Sequence, residues 1–202
     1  MRIVHIETLI SRGAYPRSSN WKKSQAQIVS TIRSVDWPPG SGAFSIYPES
    51  GKKSGKGNGV KPIKKQFIDD LCNCGWREEI CIASNISRNP GNFDVVIGLP
   101  PRAIVVEWET GNISSSHRSL NKMALYLMNG MIRGAALVVP SRTLYRYLTD
   151  RIGNYQELEP YLDLWRAIPC ENGVLEIIVI EHDSESLEAP RIPKGTDGRS
   201  RI

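Results

Sequence analysis

The sequence FDVVIGLPPRAIVVEWETGNISSS, residues 93–116, decides the fold. It contains two runs rich in β-branched residues, FDVVIG from Phe93 and AIVVEWE from Ala103, which are separated by a Pro-Pro turn. Runs of this length and composition predict two adjacent β-strands. Serine residues suited to a helix N-cap follow from Ser114, so the segment after the second strand is predicted to be a helix.

The segments on either side extend this alternation of strands and helices. Apolar residues at helical spacing predict helices over residues 21–35, over residues 64–76 and in the segment from Ser114. The apolar runs GAALVVP from Gly134 and VLEIIVIEH from Val174 predict buried strands, and SRTLYRYLTDRI between them returns to helical spacing. The pattern predicts an α/β or α+β fold in which helices flank a mixed central sheet. We expect one domain over residues 1–202.

Composition narrows the classes of protein to consider. No apolar run approaches the roughly 20 residues that cross a bilayer, so no membrane partner is expected. The first residues lack the pattern of a signal peptide, which favours the cytoplasm, where the four cysteines stay reduced. The net charge is +5, and basic residues cluster between Lys52 and Lys61 and again after Pro193. Such clusters suit a polyanionic partner, although a basic loop is more often an ordinary solvated surface.

Two segments poor in apolar residues are expected to lie outside the core. Residues 50–59 contain only Gly, Lys, Ser and Asn and predict a mobile loop. Their glycine spacing does not match a phosphate-binding loop, so we predict no nucleotide site there. Residues 190–202 are expected to form a flexible C-terminal arm.

Three carboxylates are predicted to lie near one end of the strand pair. Glu107 and Glu109 flank Trp108, and the two-residue period of a strand directs both side chains to the same face. Asp94 lies on the preceding strand. Carboxylates that converge in this way repel each other unless a cation lies between them. A lone Glu-x-Glu pair is more often part of an exposed polar face than of a catalytic site. The surrounding residues are therefore needed to choose between these two interpretations.

The residues around this pair resemble a known family. An Asp followed on the next strand by an acid-x-charged triplet is similar to the core motif of the PD-(D/E)xK nucleases, with Glu109 in place of the usual Lys. The sequence EWETGNISSSHRSLNK from Glu107 resembles the BamHI-type family of type II restriction endonucleases, which has that same Glu. Further resemblances follow in family order: NGVKPIK from Asn58, WRE from Trp76, LTDRIGNYQELEPY from Leu148 and IPKGTDGRS from Ile192. The resemblance implies a PD-(D/E)xK restriction-endonuclease-like core.

The resemblance also implies a metal-dependent catalytic site. It assigns Glu78, Asp94 and Glu107 as metal ligands, the Trp108 carbonyl as an extra oxygen ligand, and Glu109 as the residue that positions or deprotonates water. Taken alone, Glu78 is equally well part of a solvated charge cluster. All-oxygen ligands suit Mg²⁺, with Mn²⁺ as a substitute, and Ca²⁺ is expected to support binding without cleavage. No organic cofactor is implied.

DNA contacts are implied in the same way. Arg matches guanine, Asn matches adenine and Asp accepts from cytosine in the major groove. The resemblance assigns this set of residues to DNA: Asn112, Ser114, Arg118, Asp150 and Arg151 to bases, Lys64 to a phosphate, and Gly195 and Arg199 of the arm to the minor groove. Taken singly, an arginine or lysine of this kind is as often a surface cation.

These assignments imply a homodimer that cuts palindromic double-stranded DNA at GGATCC after the first G, leaving 5′ overhangs with 5′-phosphates. The apolar stripe Leu120, Ala124, Leu127 and Met131 suits either a dimer interface or the core. Two alternatives remain open, a sequence-specific DNA-binding protein that does not cut and a structure-selective repair nuclease with the same core.

Overall fold

The computed structural model describes residues 1–52, 56–83, 90–149 and 152–195. Its strands are β1 Arg2–Arg12, β2 Ser45–Ile46, β3 Arg77–Ile80, β4 Phe93–Ile97, β5 Ala103–Trp108, β6 Ile132–Pro140, β7 Gly173–Glu181 and β8 Ser184–Glu185. Its α-helices are α1 Ser19–Ser34, α2 Lys61–Asn73, α3 Ile113–Met128, α4 Arg142–Tyr145, α5 Tyr155–Leu158 and α6 Leu162–Arg166. Short 3₁₀ turns cover Tyr15–Arg17 and Glu159–Tyr161.

A six-stranded sheet forms the centre of the molecule, in the order β1-β7-β6-β5-β4-β3. Strands β5, β6 and β7 run parallel to one another, whereas β1, β4 and β3 pair antiparallel with their neighbours. The predicted mixed α/β fold with a central sheet is therefore confirmed. Strands β2 and β8 form a separate parallel pair.

Helices cover both faces of the sheet. On one face, α1 and α2 bury Ile28, Ile32 and Phe67 against β4 and β5. On the other face, α3, α5 and α6 form a second core with the opposite side of the same strands, including Leu120 and Trp165. Of the apolar stripe on α3, Leu120, Ala124 and Leu127 lie in this second core and Met131 packs against it. The stripe therefore serves the core rather than a dimer interface.

Three elements differ from their predictions. Strand β1 was not anticipated, because His5 and Glu7 interrupt its apolar pattern. Helix α4 ends at Tyr145, since Leu148 bridges to Asn58 instead of continuing the helix. The helix predicted over residues 64–76 begins three residues earlier and ends before Cys74, so Glu78 lies on β3 rather than at a helix end.

The expected mobile loop and flexible arm pack against each other where they are described. Asn58 is fully buried, and its Nδ2 donates to the carbonyl oxygens of Tyr47 and Tyr147 at 2.9 Å. Its Oδ1 accepts from the Ile192 N–H at 3.2 Å, and Ile192 is itself buried. Residues 190–195 are thus held on the body of the protein, and the arm after residue 195 lies outside the described residues.

No helix in the described parts of the chain is long and apolar enough to cross a membrane. Among the described residues, none of the four cysteines forms a disulfide bond.

Candidate active site

The end of the β4–β5 pair brings two predicted carboxylates together. The antiparallel ladder pairs Val95 with Val106, so the next positions along the two strands are Asp94 and Glu107. Beyond them the ladder gives way to a side-chain contact, because the Trp108 N–H donates to Asp94 Oδ2 at 2.7 Å. This bond fixes the Asp94 carboxylate against the end of β5.

Each of these carboxylates is paired with a lysine from a helix. Lys64 of α2 donates from Nζ to Asp94 Oδ1 at 2.8 Å. Lys122 of α3 forms an ion pair with Glu107 Oε1, donates to the Asn92 carbonyl oxygen and lies 4.5 Å from the centre of the Phe93 ring. Asp94 is only 8% exposed and Glu107 only 4% exposed. Buried carboxylates at adjacent positions require positive charge nearby, which these lysines supply.

Glu109 lies just past the end of β5 and is held by different groups. Its backbone N–H donates to the Val138 carbonyl oxygen at 2.9 Å, and its Oε1 accepts from Ser119 Oγ of α3 at 2.6 Å. Glu107 and Glu109 both contact α3, which confirms that they face the same side of the sheet.

The three carboxylates lie close enough for the charge of one to raise the pKa of another. Burial, and then the neighbouring charge of Asp94, raise the pKa of Glu107 to about 7, although Lys122 opposes the shift. Burial also raises the pKa of Glu109, against the hydrogen bond from Ser119 and the positive charge of Lys64. A proton acceptor with a raised pKa is better matched to general-base catalysis near neutral pH than an ordinary carboxylate.

Glu78 is not brought into contact with this pair. It pairs with Val95 on the edge strand β3, and its side chain is exposed to solvent. Among the described residues, no group of three or more His, Cys, Asp or Glu side chains is arranged to hold a metal ion. The role of Glu78 as a third ligand, and that of the Trp108 carbonyl, stay predictions.

The donor chemistry nevertheless fits a hard cation. Asp94 and Glu107 offer carboxylate oxygens at adjacent register positions, and oxygen ligands of this type suit Mg²⁺ or Mn²⁺. Both carboxylates are buried and both are neutralised by an ammonium group. The pair therefore has the ligand type that a divalent cation requires, and its negative charge is balanced by two lysines.

The predicted base-reading residues surround the start of α3. Asn112 is the N-cap, because its side chain accepts from the Ser115 N–H at 3.1 Å, and so the cap precedes the serines expected in that role. Asn112, Ser114 and Arg118 are exposed on the first turns of the helix. A cleft of about 520 Å³ lined by Ser114, Arg118 and Lys122, among other residues, runs along this face. The candidate readers are thus contiguous with the carboxylate site.

The other predicted DNA contacts are described only in part. Asp150, Arg151 and Arg199 lie outside the described residues. The residues on either side of Asp150 and Arg151 are held by backbone hydrogen bonds. The Thr149 N–H donates to the Asn58 carbonyl, and the Gly153 N–H donates to the Gly111 carbonyl at 2.7 Å. This second bond brings the segment that follows Arg151 next to the N-cap of α3.

The remaining two predicted contacts have protein neighbours. Gly195 lies against Lys61, where an added Cβ would come within 2.6 Å of the lysine side chain. Lys64 forms an ion pair with Asp94, and its side chain remains partly exposed to solvent.

Sequence reasoning missed Ser119 and Lys122. Both lie on α3, three residues apart, so they project from one face of the helix toward β5. The available signal was a lysine within the apolar sequence LNKMALYLM, where burial requires a partner of opposite charge.

Comparison with known proteins gives matches over almost the whole chain. The family model described as restriction endonuclease BamHI matches residues 1–199. The type II restriction enzyme OkrAI of Oceanobacter kriegii is 43% identical over 200 residues, which are 99% of this chain and 99% of that enzyme. The type II restriction enzyme BamHI of Bacillus amyloliquefaciens is 34% identical over 184 residues, which are 87% of this chain and 81% of that enzyme.

Among solved structures, the crystal structure of restriction endonuclease BglII complexed with a DNA 16-mer superposes with a TM-score of 0.59. The match covers 91% of this chain and 79% of that chain at 13% sequence identity. At this identity the likeness concerns the fold, and it agrees with the predicted restriction-endonuclease-like core.

Proposed function

Because this chain belongs to the BamHI family of restriction endonucleases, whose named members are type II enzymes, we propose that it cuts double-stranded DNA at GGATCC after the first G. Cleavage there leaves 5′ overhangs with 5′-phosphates and free 3′-hydroxyls. One observation carries the proposal: Lys122, which pairs with Glu107, lines the same cleft as Ser114 and Arg118 on the first turns of α3. The groups suited to hydrolysis therefore lie directly beneath the cleft that presents the groups suited to base reading.

In the proposed mechanism, Asp94, Glu107, the Trp108 carbonyl and Glu78 hold Mg²⁺. When bound, the cation stabilises the negative charge that develops on the phosphate and on the leaving 3′-oxygen. Glu109 accepts the proton of the attacking water. Ser119 keeps one oxygen of Glu109 occupied, so the other oxygen, Oε2, is the one that receives this proton. Mn²⁺ is expected to substitute, and Ca²⁺ is expected to support binding alone.

Base recognition is proposed for Asn112, Ser114, Arg118, Asp150 and Arg151. An arginine that donates two hydrogen bonds to guanine, or an asparagine that pairs with adenine, discriminates against the wrong base by about 1–3 kcal/mol. Exposure at the start of α3 supports the first three assignments. The tail residues Gly195 and Arg199 are proposed to add contacts in the minor groove.

A homodimer is proposed because a palindrome presents two identical half-sites and each subunit supplies one catalytic set. The exposed large side chains of Tyr161 and Leu164 lie on the segment that packs beside α3. The ring of Tyr161 contacts His117 of α3 at 4.8 Å between centroids. This surface replaces the buried α3 stripe as the proposed dimer contact. We propose the cytoplasm, where the target DNA is present, as the place of action.

The proposal is tested with two plasmids that differ at one position. The first has a single GGATCC, and the second has the same sequence with one base pair of that site changed. The protein with Mg²⁺ should linearise only the first plasmid, and Asp94→Asn should linearise neither. Cutting of both plasmids would favour a repair nuclease, and specific binding without cutting would favour a DNA-binding regulator; either result would contradict the proposal.

A further inference from the structure

The two buried carboxylates of the candidate active site are neutralised from opposite faces of the sheet. Lys64 reaches Asp94 from α2, and Lys122 reaches Glu107 from α3. The two helices belong to the two separate cores that cover the sheet. The protein therefore supplies an internal positive charge for each of these carboxylates.

Lys122 is the more enclosed of the two lysines. Its side chain is 8% exposed, compared with 33% for Lys64. Its ammonium contacts the Glu107 carboxylate, the Asn92 carbonyl oxygen and the face of the Phe93 ring. A lysine is almost never buried to this extent unless its charge is paired. These contacts join the start of β4, the end of β5 and α3 at a single charged atom.

We propose that Lys122 is a positioning residue that holds Glu107 in place while no metal ion is bound, and that a divalent cation binding to Glu107 displaces its ammonium group. This inference rests on the proposed function, in which Glu107 is a metal ligand. An ammonium and a divalent cation repel each other, so they compete for the same buried carboxylate oxygen. Lys122 thus sets how strongly Glu107 binds a divalent cation.

Substitution of Lys122 by Met tests the proposal, because Met keeps an unbranched stem beside the Phe93 ring but removes the charge. In EDTA, the uncompensated carboxylate should lower the Tm of Lys122→Met by about 6–12 °C. Adding Ca²⁺ should restore most of that loss, because the cation replaces the missing positive charge. Titration calorimetry should show Ca²⁺ binding about tenfold tighter than in the parent protein, a change of about 1.4 kcal/mol.

Lys23→Met, an exposed lysine of α1, is the matched control and should change neither the Tm nor the Ca²⁺ affinity. If Lys122→Met loses the same Tm with and without Ca²⁺ and binds Ca²⁺ no more tightly, Lys122 is only a packing residue and the proposal is wrong. If Ca²⁺ changes the Tm of neither the parent nor Lys122→Met, Glu107 is not a metal ligand. The proposed displacement of Lys122 by a cation is then wrong as well.

A double variant covers the case in which Lys122→Met does not fold. Glu107→Gln with Lys122→Met removes both charges of this buried pair, so the double variant should fold in EDTA and gain no Tm from Ca²⁺ at this position. If the double variant is as unstable as Lys122→Met, the loss of Tm comes from lost packing against Phe93 and not from the uncompensated charge. That result would overturn the proposal.

Discussion

Glu107 and Glu109 have the same side chain but are held by different groups. Glu107 is paired with an ammonium, whereas Glu109 accepts a hydrogen bond from a serine hydroxyl. The first arrangement suits a group that binds a cation. The second suits a group that exchanges a proton, because a neutral donor leaves the carboxylate free to become protonated.

Glu109→Gln is therefore expected to separate binding from cleavage. The amide oxygen still accepts from Ser119 but the group cannot take a proton, so the cleavage rate should fall by about 10²- to 10⁴-fold. Binding to GGATCC, measured in Ca²⁺, should be retained or tighter, since one negative charge facing the phosphate is removed. A cleavage rate near that of the parent enzyme would show that another group accepts the proton.

Glu107→Gln is the matched comparison, and it should behave differently. It should raise the Mg²⁺ concentration needed for cleavage, and it leaves Lys122 buried without its partner, which costs about 3–5 kcal/mol of folding free energy. Equal stability of the two variants in chemical denaturation would contradict the difference between their surroundings.

A carboxyl group remote from the candidate site predicts how stability depends on pH. Glu176 of β7 is 5% exposed, and its two oxygens accept only from Gln25 Nε2, at 2.8 Å each, among the described contacts. Burial raises the pKa of Glu176 above its ordinary value of 4.5. Since ionisation is less favourable in the folded chain, the folded state loses stability as pH rises from about 4.5 to the folded pKa.

Glu176→Gln should remove this pH dependence. The variant should gain stability relative to the parent as pH rises through this window, with no further gain above it. Urea denaturation of both proteins between pH 4 and 8 measures the difference. A difference that stays constant over that range would mean that Glu176 does not titrate with folding.

At the residue level, the sequence predicted that Asp94, Glu107 and Glu109 lie near one another, but it did not predict which side chains they pair with. The positions of Asp94, Glu107 and Glu109 follow from strand periodicity and from the resemblance to the family. The pairing of Asp94 with Lys64 depends on how α2 packs across the sheet, a contact between residues 30 positions apart. Local patterns contain no information on such contacts.

At the level of elements, the central strands and α3 were predicted correctly because apolar residues dominate each of them, with a single charged residue at most within the apolar run. The composition of residues 50–59 gave no sign that the end of this loop, at Asn58, is anchored in the interior. Asn58 satisfies three hydrogen bonds in the interior, and this buried amide ties the loop to residues 147 and 192. Hydrophobic periodicity cannot predict a loop that is anchored by a buried polar side chain.

The C-terminal segment should therefore have two functional parts. Ending the chain at Pro193 keeps the buried Ile192 and the hydrogen bond from Trp37 Nε1 to the Pro190 carbonyl. This variant should therefore still fold and still cleave DNA, but its affinity for DNA should be lower. Ending the chain at Glu188 removes both contacts and should cost about 2–5 kcal/mol of stability, as for the loss of a buried isoleucine side chain. Thermal denaturation and cleavage at saturating enzyme compare the two. Complete loss of cleavage in the longer variant would contradict this division.

At the level of the whole molecule, the proposed dimer requires a surface that the single chain leaves uncovered. Leu164 is 64% exposed beside α3, and Leu187, at 76%, is exposed elsewhere. Leu164→Asp should shift the protein from dimer to monomer in sedimentation velocity and reduce double-strand cutting more than nicking. Leu187→Asp is the matched control and should remain dimeric. A parent protein that sediments as a monomer on GGATCC DNA would contradict the dimer itself.

The central claim is that this chain makes a site-specific double-strand cut in DNA. The most direct measurement is to digest DNA of known sequence with the protein and Mg²⁺ and to sequence the ends of every fragment. We expect all ends to fall at GGATCC, with the cut after the first G on each strand and a 5′-phosphate on each overhang. Ends scattered over unrelated sequences, or cuts at one strand alone, would contradict it.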